Sequence, residues 1–130
     1  MADYQPVYTG GAKPFTMTTS GAVTGGRVLA SSGNNTVAHA GAASTVAVGV
    51  AAHDAPSGGR VSIWPLEGVI HEIEAAGAIA AGGGVQTAAN GQADPVTTSI
   101  AAGSAAGTLI GTAITTAAGS PLKLRVQGRR

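Results

Sequence analysis

Apolar and polar positions alternate with a period of two along several short stretches of this chain. The alternation is plainest in Val46-Ala47-Val48-Gly49-Val50, in Val61-Ser62-Ile63-Trp64 and in Leu122-Lys123-Leu124-Arg125-Val126. A two-residue period is that of a strand with one face against a core. In the last stretch the leucines and the valine are expected to point inward, and Lys123 and Arg125 outward. β-Branched runs of the same kind recur over residues 15–19, 27–30, 35–38, 45–50, 60–64, 69–74, 85–88 and 122–127. Turn signals separate them: Gly25-Gly26, Ser32-Gly33-Asn34-Asn35, Ala55-Pro56-Ser57-Gly58-Gly59, Asn90-Gly91 and Gly119-Ser120-Pro121. Many short strands joined by glycine turns predict a compact all-β domain, a small β-barrel or β-sandwich.

Alanine is abundant and is the best helix former, but here it is interleaved with glycine, which costs about 1 kcal/mol inside a helix. Residues 75–84 carry no 3.6-residue stripe and end in Gly82-Gly83-Gly84, so they read as a turn system. An internal echo matches Gly21-Ala22-Val23-Thr24-Gly25-Gly26-Arg27-Val28 with Gly77-Ala78-Ile79-Ala80-Ala81-Gly82-Gly83-Gly84-Val85. Each copy is a tight glycine turn feeding a strand, which reads either as pseudo-symmetry inside a barrel or as low complexity. The stretch from Thr97 to Gly119 resists placement. Leu109 to Thr116 has the look of a strand, with Gly111 marking a bulge or a close backbone approach.

Composition narrows the function. Of 130 residues, 44% are hydrophobic but 3% aromatic, 10% are charged, 21 are glycine and none is cysteine. There is no disulfide framework and no thiolate metal site, and no apolar run long enough to span a bilayer as a helix. The opening Met1-Ala2-Asp3-Tyr4-Gln5-Pro6 lacks the basic and apolar regions of a secretion signal. A net charge of +1 argues against a strong nucleic-acid binder. Yet charge is segregated, because Lys123, Arg125, Arg129 and Arg130 all fall in the last ten residues.

Candidate chemistry is sparse. His39, His53 and His71 form no metal-ligand spacing, and His53-Asp54 reads as a loop whose carboxylate opens the following turn. In His71-Glu72-Ile73-Glu74 a strand would put both carboxylates on one exposed face. With Glu67 they would make an acidic patch able to meet the basic tail of a neighbouring copy. The glycine runs lack the lysine and the spacing of a phosphate loop, and no serine lies in a G-x-S-x-G elbow. The Asn34-Asn35-Thr36 sequon is discounted without a secretion signal. No catalytic residue, cofactor or metal site is assigned.

Residues 1–14 form an extended arm with no burial pattern, expected to gain order by lying on its own domain or on a neighbour. The single domain spans 15–127 and a short basic tail 128–130. Three of the four aromatics, Tyr4, Tyr8 and Phe15, cluster in the arm and at its end. The fourth, Trp64, reads as the largest core residue or as an interface anchor.

Several segments together have a family look. They are Gly21 to Leu29, Asn35 to Ser44, Val46-Ala47-Val48-Gly49-Val50-Ala51, Asp54 to Ile63, Gly68-Val69 and Ala76-Gly77-Ala78-Ile79-Ala80-Ala81-Gly82. Over roughly residues 15 to 92 the chain resembles the small head-decoration, or capsid cement, proteins of tailed bacteriophages. The resemblance implies a non-enzymatic virion protein on the outer surface of the capsid head. It would be a homotrimer that binds the major capsid protein and stabilises its lattice, with no small-molecule substrate, membrane or nucleic acid among its partners. Tyr4, Pro6, Tyr8, Phe15, Trp64, Arg129 and Arg130 are the candidate capsid or inter-subunit contacts. The arm, as anchor, is expected to be dispensable for the isolated fold. A fibre-base or spike module and a small carbohydrate-binding β-module are the alternatives.

Overall fold

The computed structural model describes residues 3–96, 100–120 and 122–129. Among these residues ten strands make two successive five-stranded sheets. The first holds β1 (Phe15–Thr19), β2 (Val28–Gly33), β3 (Thr36–His39), β4 (Ala47–Ala51) and β5 (Arg60–Trp64). The second holds β6 (Ile70–Glu74), β7 (Gly84–Thr87), β8 (Ala93–Pro95), β9 (Gly111–Ala113) and β10 (Lys123–Gly128). The first sheet closes into a barrel through parallel pairing of β1 with β3. The all-β expectation holds, and β1 and β5 fall where the β-branched runs place them.

The two sheets are two copies of one topology. Around the barrel the order runs β1-β5-β4-β2-β3, and across the second sheet β6-β10-β9-β7-β8. The parallel contact Thr19↔Val37 that closes the barrel recurs as the bridge Ala75↔Ala93. Val23↔Ala55 recurs as Ile79↔Ala117, each made by a reciprocal pair of backbone hydrogen bonds. One interval along the chain separates Thr19 from Ala75, Val37 from Ala93 and Val23 from Ile79. The echo in the sequence is therefore a duplication that yields two sheets, rather than symmetry inside one barrel. In both copies the glycine turn contains a left-handed residue, Gly26 at φ 85° and Gly82 at φ 87°, a conformation glycine adopts without steric cost.

Burial follows the strand period. In β10 residues alternate outward and inward from Lys123 to Gly128, with Leu124 and Val126 inside. Leu122 departs from its expectation: it precedes β10 and stands 53% exposed. Its carbonyl still accepts the Ala75 amide, so the backbone is tied in while the side chain lies past the end of the sheet. Val23, Leu29, Val37, Ala51, Val61 and Ile63 fill the barrel. A second core gathers Leu66, Ile73, Ile79, Val85, Ile110 and Leu124 with Val28 and Val50 of the first copy. Strands β2 and β4 are thus buried on both faces, Leu29 and Ala51 toward the barrel and Val28 and Val50 toward the other copy.

The stretch that resisted placement departs most from expectation. Thr97, Thr98 and Ser99 lie outside the described residues, Ile100–Ala106 forms a helix, α1, and a short strand β9 follows. The helix accommodates Gly103 because that position is buried against Val96, where a Cβ would sit 3.0 Å from a Val96 methyl. Packing here overrides the propensity cost of glycine. Strand β8, bearing Asp94 and Pro95, carried no β-branched signal. It forms by pairing with β7, Gln86 opposite Asp94 and Thr87 opposite Ala93.

Candidate contact surface

The arm lies on the chain's own body. Tyr4 donates its amide to the Ala52 carbonyl at 2.7 Å, in the first copy. Its hydroxyl meets His71 Nδ1 at 2.7 Å and accepts the Glu72 amide at 3.1 Å, in the second. The ring stacks on the His71 imidazole with centroids 5.8 Å apart, and its other side packs toward Gly26. Pro6 is buried. Val7 and Tyr8 amides reach the Ile70 carbonyl, and the Ile70 amide returns to Tyr8. Residues 3–8 are thus a strap that crosses both copies and covers the free edge of β6. Of the two places expected for the arm, its own domain or a neighbour, residues 3–8 take the first, and they cover His71 and the Tyr4 seat beside the core.

The other contact candidates divide by exposure. Tyr8 is 59% and Phe15 40% exposed, and Arg129 is exposed beyond β10. Trp64 is half-buried, facing away from the barrel interior that Ile63 fills. Arg130 lies outside the described residues. Val7, Val46, Ile114 and Leu122 are also exposed apolar groups. Sequence reasoning missed Val46, Ile114 and Leu122 because each sits in or beside a strand pattern that assigns aliphatics to the core, and Val7 because the arm was read through its aromatics and Pro6.

The polar groups mostly satisfy one another. Arg27 pairs with Glu74 at 3.0 Å and ties the copies together, and Glu74 also accepts from Gln92. Glu72 stands 4.0 Å from Arg125. The acidic face of β6 therefore meets basic groups of its own chain, with Glu67 left exposed. His53 Nε2 accepts the Ser62 amide while Nδ1 donates to the Asp54 carbonyl, and Asp54 accepts from Gly25. That pair ties the Gly25-Gly26 turn and β5 to the loop between β4 and β5. Burial, and then the Arg27 charge, push His39 below its usual value. Burial holds His71 down to about 4 and lifts Tyr4 well above the ordinary phenol range.

Because the Arg27–Glu74 pair is about one-quarter exposed on each side, solvent screens it. Glu74→Gln is expected to cost no more than about 1 kcal/mol in urea unfolding. A larger loss would mean that the pair, rather than the shared core, holds the copies together.

A groove of about 190 Å³ lies beside the strap, lined by Tyr4, Thr24, Arg27, Glu72, Glu74 and Lys123 among others. A wider hollow of about 430 Å³ lies between α1 and the C-terminus, lined by Ser104, Gly107, Leu109 and Arg129.

Three comparisons with known proteins bear on what such a body is. No curated protein matches the chain. Among solved structures, the N base of the head fibre gp8.5 of bacteriophage phi29 shares the fold. Its TM-score is 0.63 at 24% identity, over 91% of this chain and 97% of that one. Residues 7–128 match the phage cement proteins, which are structural proteins rather than enzymes. That match runs through both copies of the duplicated sheet, from the strap to the end of β10, and makes this chain a member of the phage cement protein family and a component of the virion head.

Proposed function

We propose that the chain docks on the outer surface of an assembled capsid as a homotrimer and stabilises the lattice of the major capsid protein. The observation that carries this reading is apolar surface left outside a body whose two cores are already filled. Tyr8 and Phe15, at the outer end of the strap and the start of β1, stand 59% and 40% exposed. Such area gains free energy once a partner covers it, at about 25 cal/mol per Å². Acidic groups of β6 already meet Arg27 and Arg125, which leaves the basic end with Arg129 as the polar part of the contact. On a repeating shell each contact can be weak, because one bound copy that touches two capsid subunits favours the assembled state over the separated ones.

The test is electron microscopy of particles lacking the protein, before and after it is added back. Density in threes at three-fold and quasi-three-fold positions is the expected result. The double variant Tyr8→Ser, Phe15→Ser should keep the native circular dichroism and lose at least tenfold in occupancy. A bare shell at saturating protein would overturn the reading, and unchanged occupancy of the double variant would move the contact elsewhere. A fibre-base role is the second reading, favoured by the likeness in fold and length to the phi29 head-fibre N base. It predicts further density rising from the bound copy.

A further inference from the structure

His71 is fully buried, and both of its ring nitrogens are engaged. Nε2 lies 2.7 Å from the Pro65 carbonyl oxygen, which can only accept, so Nε2 carries the hydrogen. Nδ1 is then a bare acceptor, and the Tyr4 hydroxyl donates to it. The Tyr4 oxygen in turn accepts the Glu72 amide. The relay runs in one direction, from the Glu72 amide through the Tyr4 hydroxyl to His71, and it closes only while the imidazole is neutral.

We propose that residues 3–8 are a strap latched to the body by neutral His71, and that taking up a proton at Nδ1 releases the strap from the edge of β6. With Nδ1 protonated, the Tyr4 oxygen faces N–H groups from both His71 and Glu72. The phenolic hydrogen loses its acceptor, and a cation sits in a dry site.

The charged and titratable groups around the site do not offset that cation. On β6, Glu72 and Glu74 lie on the face opposite His71, as the alternation of burial shows. From β10, Arg125 pairs with Glu72, and Lys123 stands opposite Glu74 in the ladder. Arg27, ahead of β2, is held by Glu74. Glu67 is exposed in the turn after Pro65, and Asp3 is exposed at the head of the strap. Tyr4 is the titratable side chain that both hydrogen-bonds to the ring and stacks on it.

Besides the relay, the strap is held by Tyr4 packed against the second core, by the burial of Pro6, and by four backbone hydrogen bonds, one to Ala52 and three with Ile70. Behind the strap, Gly10 and Gly11, both at positive φ, make the turn on which it would pivot. Its departure would bare the Ile70 amide and carbonyl, an unpaired edge open to strand addition.

The direction with pH follows from burial, which holds His71 near 4 when the strap is docked against an ordinary 6.5. Docking is strongest while His71 is neutral, and it weakens progressively as the pH falls toward 4.

The test follows the full chain by NMR from pH 7.5 to 4, reading the His71 ring shifts, the Tyr4 and Tyr8 amide shifts, and Ile63 amide exchange corrected for its intrinsic pH dependence. The expected result is strap amides that move together with the His71 titration while Ile63 stays protected. His71→Gln places one donor and one acceptor in the site with no titration, so its strap should stay docked across the range. The proposal is overturned if the strap shifts do not follow His71 in the wild type, if Ile63 loses protection at the same pH, or if a folded His71→Gln chain releases its strap as the wild type does. Should His71→Gln fail to fold, the wild-type comparison decides alone.

Discussion

Gly49→Ala and Gly111→Ala are each expected to destabilise the protein by about 3 kcal/mol or more, against a total of about 5–15 kcal/mol for a domain of this kind. The two glycines hold equivalent places in the duplicated fold: Gly49 pairs with Leu29, and Gly111 with Val85. At each, a Cβ would collide with a backbone carbonyl of the adjoining strand, that of Trp64 in the first copy and of Gln127 in the second. It would also press on the inward side chain next to that carbonyl, Ile63 or Val126. Those side chains belong to the two cores, and the carbonyls belong to ladders that cannot shift without breaking pairs, so the structure has no cheap way to yield. Gly21→Ala and Gly41→Ala are the controls. Neither position has an atom within 4 Å of its would-be Cβ nor a positive φ, and both should stay within about 0.5 kcal/mol of wild type. Urea unfolding of the four variants checks the contrast. Equal midpoints across the set would show that the close approaches are not rigid.

Ile73→Ala should cost about 2–5 kcal/mol and leave a single unfolding transition. Ile73 is fully buried on β6, in the core that the second copy shares with Val28 and Val50. Removing three of its carbons opens a cavity at the seam, and the loss reaches the first copy through β2 and β4, which are buried on both faces. Trp64 makes this visible, because it is the protein's one tryptophan and lies at the end of β5 in the first copy. Its fluorescence and the far-ultraviolet circular dichroism should shift to lower urea together. A fluorescence midpoint left at the wild-type value, with the dichroism displaced, would show that the copies fold independently and that the shared core couples them weakly.

Much of the strand content was legible because β-branched residues with a period of two have few other ways to be buried. Val61 and Ile63, or Leu124 and Val126, declare an inward face without reference to anything distant. The turns were equally local, since glycine in the left-handed region reflects the missing Cβ and little else. Strand β8 and helix α1 were not legible. Ala93-Asp94-Pro95 becomes a strand only because β7 offers it a ladder, and Ile100–Ala106 becomes a helix around a glycine because Val96 lies against it. The surface candidates fared unevenly for the same reason. Composition identifies the aromatics of the arm, yet it does not distinguish Tyr4, which is locked on His71, from Tyr8, which points into solvent.

What the sequence by itself determined is the all-β class, the positions of the strongest strands and turns, the scarcity of catalytic groups and the likeness to capsid cement proteins. These depend on steric preference, side-chain type and order along the chain. The tertiary structure alone decided that the duplicated segments build two successive sheets with one shared core, that the strap closes over the β6 edge, and which aromatics remain for a partner. Those outcomes rest on contacts between residues far apart in the chain. His71 and Tyr4 illustrate the point: each has an ordinary local sequence, and their pairing exists only once β6 and the strap have been brought together.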